Sequence, residues 1–318
     1  MASPSGLMAQ LGFAAETTFG TAVTPTRFVP FTSEGIEATP DFLESQGIIA
    51  GQQILNSNQW THGVWRIGGD IAMEMLTRQH GLLLHHALGS ITTSSSAGTS
   101  THTITPGDLG GLGLTVQVGR PSGVAGVVQP FTYAGVKIAS AEIAVAASEN
   151  ATFGLSVVAQ TFTTGTALAS ATYSTVGSPF SFASGSFSLA GSSLCVRSAR
   201  LSIDNMLDTG RVCVGHTYIE EPVPSEYREF TGEMELEFPD LVHYNRYVAG
   251  TEGTMNLLLT NGTSSIRTVA NVRTDSYPVT VNDRGLVVST ASFKCTASVV
   301  GSNGSALTIT YVTADTTP

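Results

Sequence analysis

At 318 residues the chain is long enough for two average domains and a sizeable core. Only 12% of its residues are charged and its mean hydropathy is +0.17, a composition better protected from random association inside an assembly than as a lone monomer. A balance of 24 Asp and Glu against 14 Lys and Arg has the wrong sign for a groove that grips nucleic acid, yet it suits a channel through which a polyanion slides.

Residues 1–26 are rich in small side chains and weakly periodic, which predicts an extended arm outside the packed body. A first strand is expected at 27–31, between Pro25 and Pro30, and a long loop with strand pieces at 37–58. Alternation predicts a strand over 64–75. The spacing of Leu82, Leu83, Leu84 and Leu88 then predicts a short helix over 77–88 that stops at Gly89. The Ser/Thr run at 92–101 reads as a polar hairpin tip or mobile loop, and 107–113 as a glycine-rich connection. Strands follow at 114–118, 132–147 and 151–163, the last two turning at Ser148-Glu149-Asn150. Residues 164–179 have linker composition.

The second half repeats the order. Strands are expected at 180–189 and 194–205, a proline-bearing loop at 220–225, a second alternating strand at 228–238 and a second short helix at 240–249. One hairpin turns at Asn261-Gly262, and another, over 286–300 and 306–313, at Ser302-Asn303-Gly304. The expected fold class is mainly β: two tandem units, 27–163 and 180–318, each with one short helix.

The two alternating strands carry the candidate functional residues. In Gly69-Asp70-Ile71-Ala72-Met73-Glu74-Met75, Asp70 and Glu74 share one side and the apolar residues take the other. In Gly232-Glu233-Met234-Glu235-Leu236-Glu237-Phe238, Glu233, Glu235 and Glu237 line one side. An ordinary solvated face of an amphipathic sheet explains either strand alone. The same arrangement in both halves points to use of the negative potential, with no cation to trap a passing phosphate.

Catalytic and cofactor signatures are missing. There is no G-x-S-x-G, P-loop, Cys-x-x-Cys or dinucleotide fingerprint, so no cofactor is expected. His80, His85 and His86 lack the i, i+4 spacing of helix-borne zinc ligands and read as helix-surface or interface histidines. Cys195, Cys213 and Cys295 are an odd set without motif spacing, expected as reduced thiols packed in strands. The sequons at Asn150, Asn261 and Asn303 read as turn residues. Residues 1–10 lack a basic-then-apolar leader, and no run approaches ~18 apolar residues, so synthesis in a cytoplasm and no membrane partner are expected.

The segment Leu11-Gly12-Phe13-Ala14-Ala15-Glu16-Thr17-Thr18-Phe19-Gly20-Thr21, followed by Pro25, Arg27-Phe28-Val29-Pro30 and Ser33-Glu34, resembles the tail tube (major tail) proteins of long non-contractile-tailed bacteriophages, those of actinobacteria above all. The strand at 69–75 with its Leu-rich helix, Ser198-Ala199-Arg200-Leu201-Ser202-Ile203-Asp204-Asn205 and Thr231-Gly232-Glu233-Met234-Glu235-Leu236-Glu237-Phe238 resemble them too. The resemblance implies a non-enzymatic virion protein, a β-sandwich or half-barrel subunit that closes into rings around an inner β-barrel. Stacked rings would enclose the tape-measure protein, meet tail terminator and tail-tip proteins, and later pass DNA without specific binding. Family rings are six-fold or pseudo-six-fold, so a duplicated chain is expected to close as a homotrimer, with a hexamer as the alternative. Asp70, Glu74, Glu233, Glu235 and Glu237 would then line the bore. The arm, the loop at 37–58 and the tip at 92–101 are the expected ring-to-ring contacts. A capsid decoration protein is the competing reading. A glycan hydrolase is disfavoured because these carboxylates lie along single strands and not across a cleft.

Overall fold

The computed structural model describes residues 5–96, 98–124, 126–173, 176–238, 240–281, 284 and 286–318. The first half runs β1 (Gln10–Ala15), β2 (Arg27–Phe28), β3 (Ser33–Glu34), β4 (Glu37–Glu44), β5 (Trp60–Glu74), α1 (Gly81–Leu88), β6 (Gly89–Ser96), β7 (Thr99–Pro106), β8 (Leu114–Pro121), β9 (Val128–Ala146), β10 (Thr152–Val158) and β11 (Thr161–Thr163). The second runs β12 (Gly185–Leu189), β13 (Ser192–Ser193), β14 (Val196–Asp204), β15 (Leu207–Asp208), β16 (Val223–Pro224), β17 (Glu229–Glu237), α2 (Leu241–Val248), β18 (Gly253–Asn261), β19 (Ser264–Ser276), β20 (Val288–Cys295) and β21 (Leu307–Thr313). The fold is mainly β and antiparallel throughout, as expected. Residues 164–178 hold no helix or strand among the described residues.

The two halves share one sheet. Its eight strands run in the order β4, β5, β10, β9, β14, β17, β20, β19, with β3 continuing β4 along the same edge of β5. Period-2 alternation aims Ile71, Met73, Phe153, Leu155, Ile143, Leu201, Ile203, Met234, Leu236 and Phe293 at one continuous core. Each such fully buried side chain contributes about 1.5–3 kcal/mol.

The pairing pattern occurs twice. β1 pairs β2 and β8 as β12 pairs β13 and β18. The ladders β4–β5, β5–β10 and β9–β10 recur as β14–β17, β17–β20 and β19–β20. β8–β9 and β9–β11 recur as β18–β19 and β19–β21. β9 and β19 are the long members of their halves. Each begins in an outer sheet, joins the shared one at Lys137 or Val272, and carries a bulge within that ladder, where Ala139 or Asp275 is left without a partner on β10 or β20.

Three sequence expectations are corrected. Part of the arm is not loose: β1 is hydrogen-bonded to β8, with Leu11 and Phe13 in the core. Its Gly and Ala residues hid the alternation. The strand pieces expected within 37–58 are one strand, β4, and the alternating strand expected from residue 64 begins at Trp60. β20 and β21 do not form a hairpin: both lie on β19, one on each half of it. The second-half counterpart of the β9–β10 hairpin is therefore β19–β20. The Ser/Thr segment does form a hairpin, β6–β7, with Ala97 of its tip outside the described residues.

α1 is buried almost all round, through Leu82, Leu83, Leu84, Ala87 and Leu88. It stops at Gly89, whose φ is 105° and whose added Cβ would lie 2.6 Å from the Gly107 carbonyl oxygen. α2 buries only His243 and starts at an Asp240 cap that accepts from the Val242 N–H.

Candidate functional site: a charge-paired sheet face with two open edges

The five candidate carboxylates share the outward face of the eight-stranded sheet. Registers align Glu74, Thr152, Ala144, Arg200, Glu233 and Ser292 in one row across six strands. The next row is Ala72, Gly154, Glu142, Ser202, Thr231 and Lys294, and the next begins Asp70, Ser156, Ser140, Asp204 and Glu229. β5 and β17 are four strand steps apart, about 19 Å along the sheet. Between them lie mostly Ser, Thr, Gly and Ala, so the face is smooth.

The face is not free of cations. Arg200 Nη2 lies 2.7 Å from Glu233 Oε2 and its Nη1 lies 3.6 Å from Glu142 Oε2. Arg197 Nη2 lies 3.1 Å from Glu237 Oε1, and Lys294 Nζ pairs with Glu229 Oε1. Asn150 donates to Glu74 Oε1 at 2.8 Å. Asp70 and Glu235 meet no cation among the described residues. The potential is therefore acidic on balance but patterned, with each arginine held by a carboxylate. These pairs are half-exposed and each contributes at most about 1 kcal/mol to stability. Their arginines come from β14, whose own sequence carries no acidic alternation, so nothing in β17 announced them.

Both alternating strands open on a glycine for the same reason. A Cβ on Gly232 would lie 2.3 Å from the Arg200 carbonyl oxygen and 2.4 Å from Phe293 Cζ. One on Gly69 would lie 2.1 Å from the Gly35 carbonyl oxygen. Gly232→Ala is expected to destabilise the chain by about 1–3 kcal/mol through overpacking. Urea denaturation against the parent chain reads this, and an unchanged midpoint would mean that Phe293 swings aside at no cost.

Two edges of the shared sheet have no strand partner among the described residues: the outer edge of β3–β4 and the far edge of β19 beyond Val272. Beside the first, residues 45–59 loop away from β4–β5, with Ile48 99% and Ile54 82% exposed. Phe42 and Trp60 stack edge to face at its base, ring centroids 4.7 Å apart.

The three histidines at α1 are internal and not on the helix surface. His80 and His86 are buried and His85 is half-buried. Burial pushes His80 down to about 4 and His86 to about 3, so both are neutral at physiological pH. Among the described residues no three His, Cys, Asp or Glu side chains cluster as metal ligands. Of the thiols only Cys295 is packed in a strand, where burial pushes it up to about 12; Cys195 and Cys213 are exposed outside strands.

Three polar anchors carried no sequence signal. Arg228 donates to Asn205 Oδ1 and to the carbonyls of Ala87, Leu88 and Gly107, tying β17 to the end of α1. Buried Lys137 donates to the Leu109 carbonyl at 2.7 Å and to Glu221 at 2.6 Å. Asp315 accepts from Arg78 Nε and from the Gln79 N–H, so the residues after β21 are fastened beside α1. Each partner lies far away in sequence, which is why no local pattern marks it.

A mainly antiparallel chain with one polar sheet face and, among the described residues, an open edge at each end of that sheet belongs to the class of β proteins whose sheets can be extended edge to edge. The model of the phage tail tube protein family matches residues 6–297, and the chain belongs to that family. No curated protein matches it. The chain is thus a structural component of a phage virion.

Proposed function

We propose that copies of this chain join edge to edge into a ring, that the charge-paired face lines its bore, and that stacked rings form the tail tube that conducts phage DNA into the host. The observation that carries this reading is the joint placement of Asp70, Glu74, Glu233, Glu235 and Glu237 on one face of a sheet whose terminal strands are both open. Pairing those edges between copies removes them. The chain is read as two tail-tube-like units, 27–163 and 180–318, with β1 serving the first. Each unit supplies four strands to the shared sheet in the same order, which favours a homotrimeric ring of pseudo-six-fold symmetry over a hexamer. The loop at 45–59, with its exposed Ile48 and Ile54, is the candidate ring-to-ring contact. The tape-measure protein inside, and terminator and tip proteins at the ends, are the expected partners. Synthesis takes place in the host cytoplasm.

On this reading an acidic bore keeps phosphates mobile, and the carboxylates that hold Arg197 and Arg200 stop those arginines from becoming traps. Replacing Glu233, Glu235 and Glu237 together by Lys frees Arg197, leaves Arg200 only its longer contact with Glu142, and adds three cations to the face. Tails are expected to assemble and DNA ejection to slow by at least tenfold. Unchanged ejection kinetics with assembled tails removes the bore role. A cryo-electron-microscopy map of the tube tests the geometry directly: these carboxylates on the outer wall, or a particle without a hole, overturns the reading.

A further inference from the structure

The joint between the two halves of one chain is a template for the joint between two chains. Within the chain, the last strand of the first four-strand unit, β9, pairs with the first strand of the second, β14, from Ala146 opposite Ser198 to Ser140 opposite Asp204. Among the described residues the last strand of the second unit, β19, has no such partner, and neither has β3–β4, the first strand of the first unit.

The registers place the two units on a common scale. Gly69 and Glu74 of β5 correspond to Gly232 and Glu237 of β17. Through the β5–β10 and β17–β20 ladders, Ser156 then corresponds to Ser292. Ser156 faces Ser140 and Ser292 faces Ser276, so Ser140 corresponds to Ser276, and the bulged residues Ala139 and Asp275 coincide. On the other side, β14 pairs with β17 as β3–β4 pairs with β5. Asp204 therefore corresponds to Thr39 and Ala199 to Glu34. β3 and β4, separated only by Gly35 and Ile36, fall on this scale without a shift.

We propose that residues 276–281 of one copy add antiparallel to residues 34–39 of a second copy of this chain, with Ser276 opposite Thr39 and Val281 opposite Glu34. The assignment rests on the ring reading above and specifies which strands make its seam. It also accounts for the lengths of the two strands: β9 continues to Ala146 along β14, whereas β19 stops at Ser276, where no strand lies beside it among the described residues. Thr39 and Ser276 are both exposed in the single chain, as a seam pair should be. The ladder is thinnest in its middle. Pro278 has no N–H to donate, and the Ile36 carbonyl already accepts from Arg120 and Tyr133. The seam also extends the polar face, since Glu37 and Thr39 take the places that Ser202 and Asp204 hold in the internal joint.

Disulfide trapping tests the register. In a chain with Cys195→Ser and Cys213→Ser, the pair Thr39→Cys and Ser276→Cys places two thiols across the seam, where directly opposite Cβ atoms are about 4.5–5.5 Å apart. Within one chain the two positions are seven strand steps apart, about 34 Å along the sheet, so only an intermolecular bond forms. Oxidation of assembled tubes with copper phenanthroline is expected to give a ladder on non-reducing gels that ends at a closed three-chain species. The pair Gly35→Cys and Ser276→Cys, four residues out of register, is expected to cross-link at least tenfold less. Hydrogen exchange of the unsubstituted chain supplies a second readout, with residues 34–39 and 276–281 becoming protected on assembly. Tubes that form without the cross-link and without that protection overturn the seam while leaving the ring reading in place. A chain that stays monomeric at every concentration overturns the ring reading, and the seam with it.

Discussion

Arg228→Met is expected to destabilise the chain by about 3–5 kcal/mol, among the largest effects of any single substitution. The guanidinium satisfies three backbone carbonyls at the C-terminal end of α1 and just beyond β7, those of Ala87, Leu88 and Gly107, together with the Asn205 side chain. A helix leaves its last carbonyls without internal partners, and a cation at that end also meets the negative pole of the helix dipole. Met fills much the same volume but removes the charged donor: the Ala87 and Leu88 carbonyls keep the Asn205 Nδ2 and Gly107 N–H donors, while the Gly107 carbonyl and Asn205 Oδ1 lose theirs, at a cost of about 1–3 kcal/mol each where water cannot enter. Burial lowers Arg228 to about 10, so it is still charged at neutral pH and its hydrogen bonds remain charge-assisted. Asn205 belongs to the same network, donating to the carbonyls of Ala87 and Ile138. The double variant with Asn205→Ala is therefore expected to lose much less than the sum of the two single losses. Urea denaturation of the unassembled chain measures all three. A loss below 1 kcal/mol for Arg228→Met would show that water replaces the guanidinium.

Acid is expected to unfold the isolated chain through its buried histidines. Both His80 and His86 titrate lower in the folded chain, at about 4 and about 3, than the ordinary value of 6.5. The unfolded chain therefore binds more protons between these limits, and stability falls as pH falls. Their contribution is fully present above about pH 6.5. It declines below that, by about 1.4 kcal/mol per pH unit for each histidine once the unfolded state is protonated, and is exhausted at about pH 4 for His80 and about pH 3 for His86. The combined loss amounts to several kcal/mol. His80 is the sharper probe, because its Nδ1 contacts the Arg78 carbonyl while its Nε2 has no hydrogen-bond partner among the described residues. His80→Leu is expected to flatten the stability profile by close to one proton between pH 4 and 6, whatever it does to stability at pH 7. An unaltered slope would place the acid sensitivity elsewhere. Since assembly adds its own interactions, tubes are expected to survive to lower pH than free chains.

The sequence determined the local half of this protein. The alternation in 69–75 and 232–238 dictated two strands with carboxylates on one side, because successive side chains in a strand point to opposite faces whatever the surroundings. The leucines of α1 and the glycines after both helices marked where those helices stop, although α1 starts at Gly81 and not at residue 77. The sequence also carried the family resemblance in short motifs, and two of these, at Gly69 and Gly232, mark places where a neighbouring backbone passes too close for a side chain. Pairing is another matter. That β9 joins β14, that β20 and β21 both lie on β19, and that Asp70 and Glu233 look out from the same sheet all depend on contacts between residues tens to hundreds of positions apart, and a period of two says nothing about which strand lies alongside. The same holds for Arg197, Arg200 and Lys294, which temper the acidic face from other strands, and for Arg228, whose backbone acceptors lie 121 to 141 residues away. Local chemistry chose the elements; the burial of one core shared by both halves chose their neighbours.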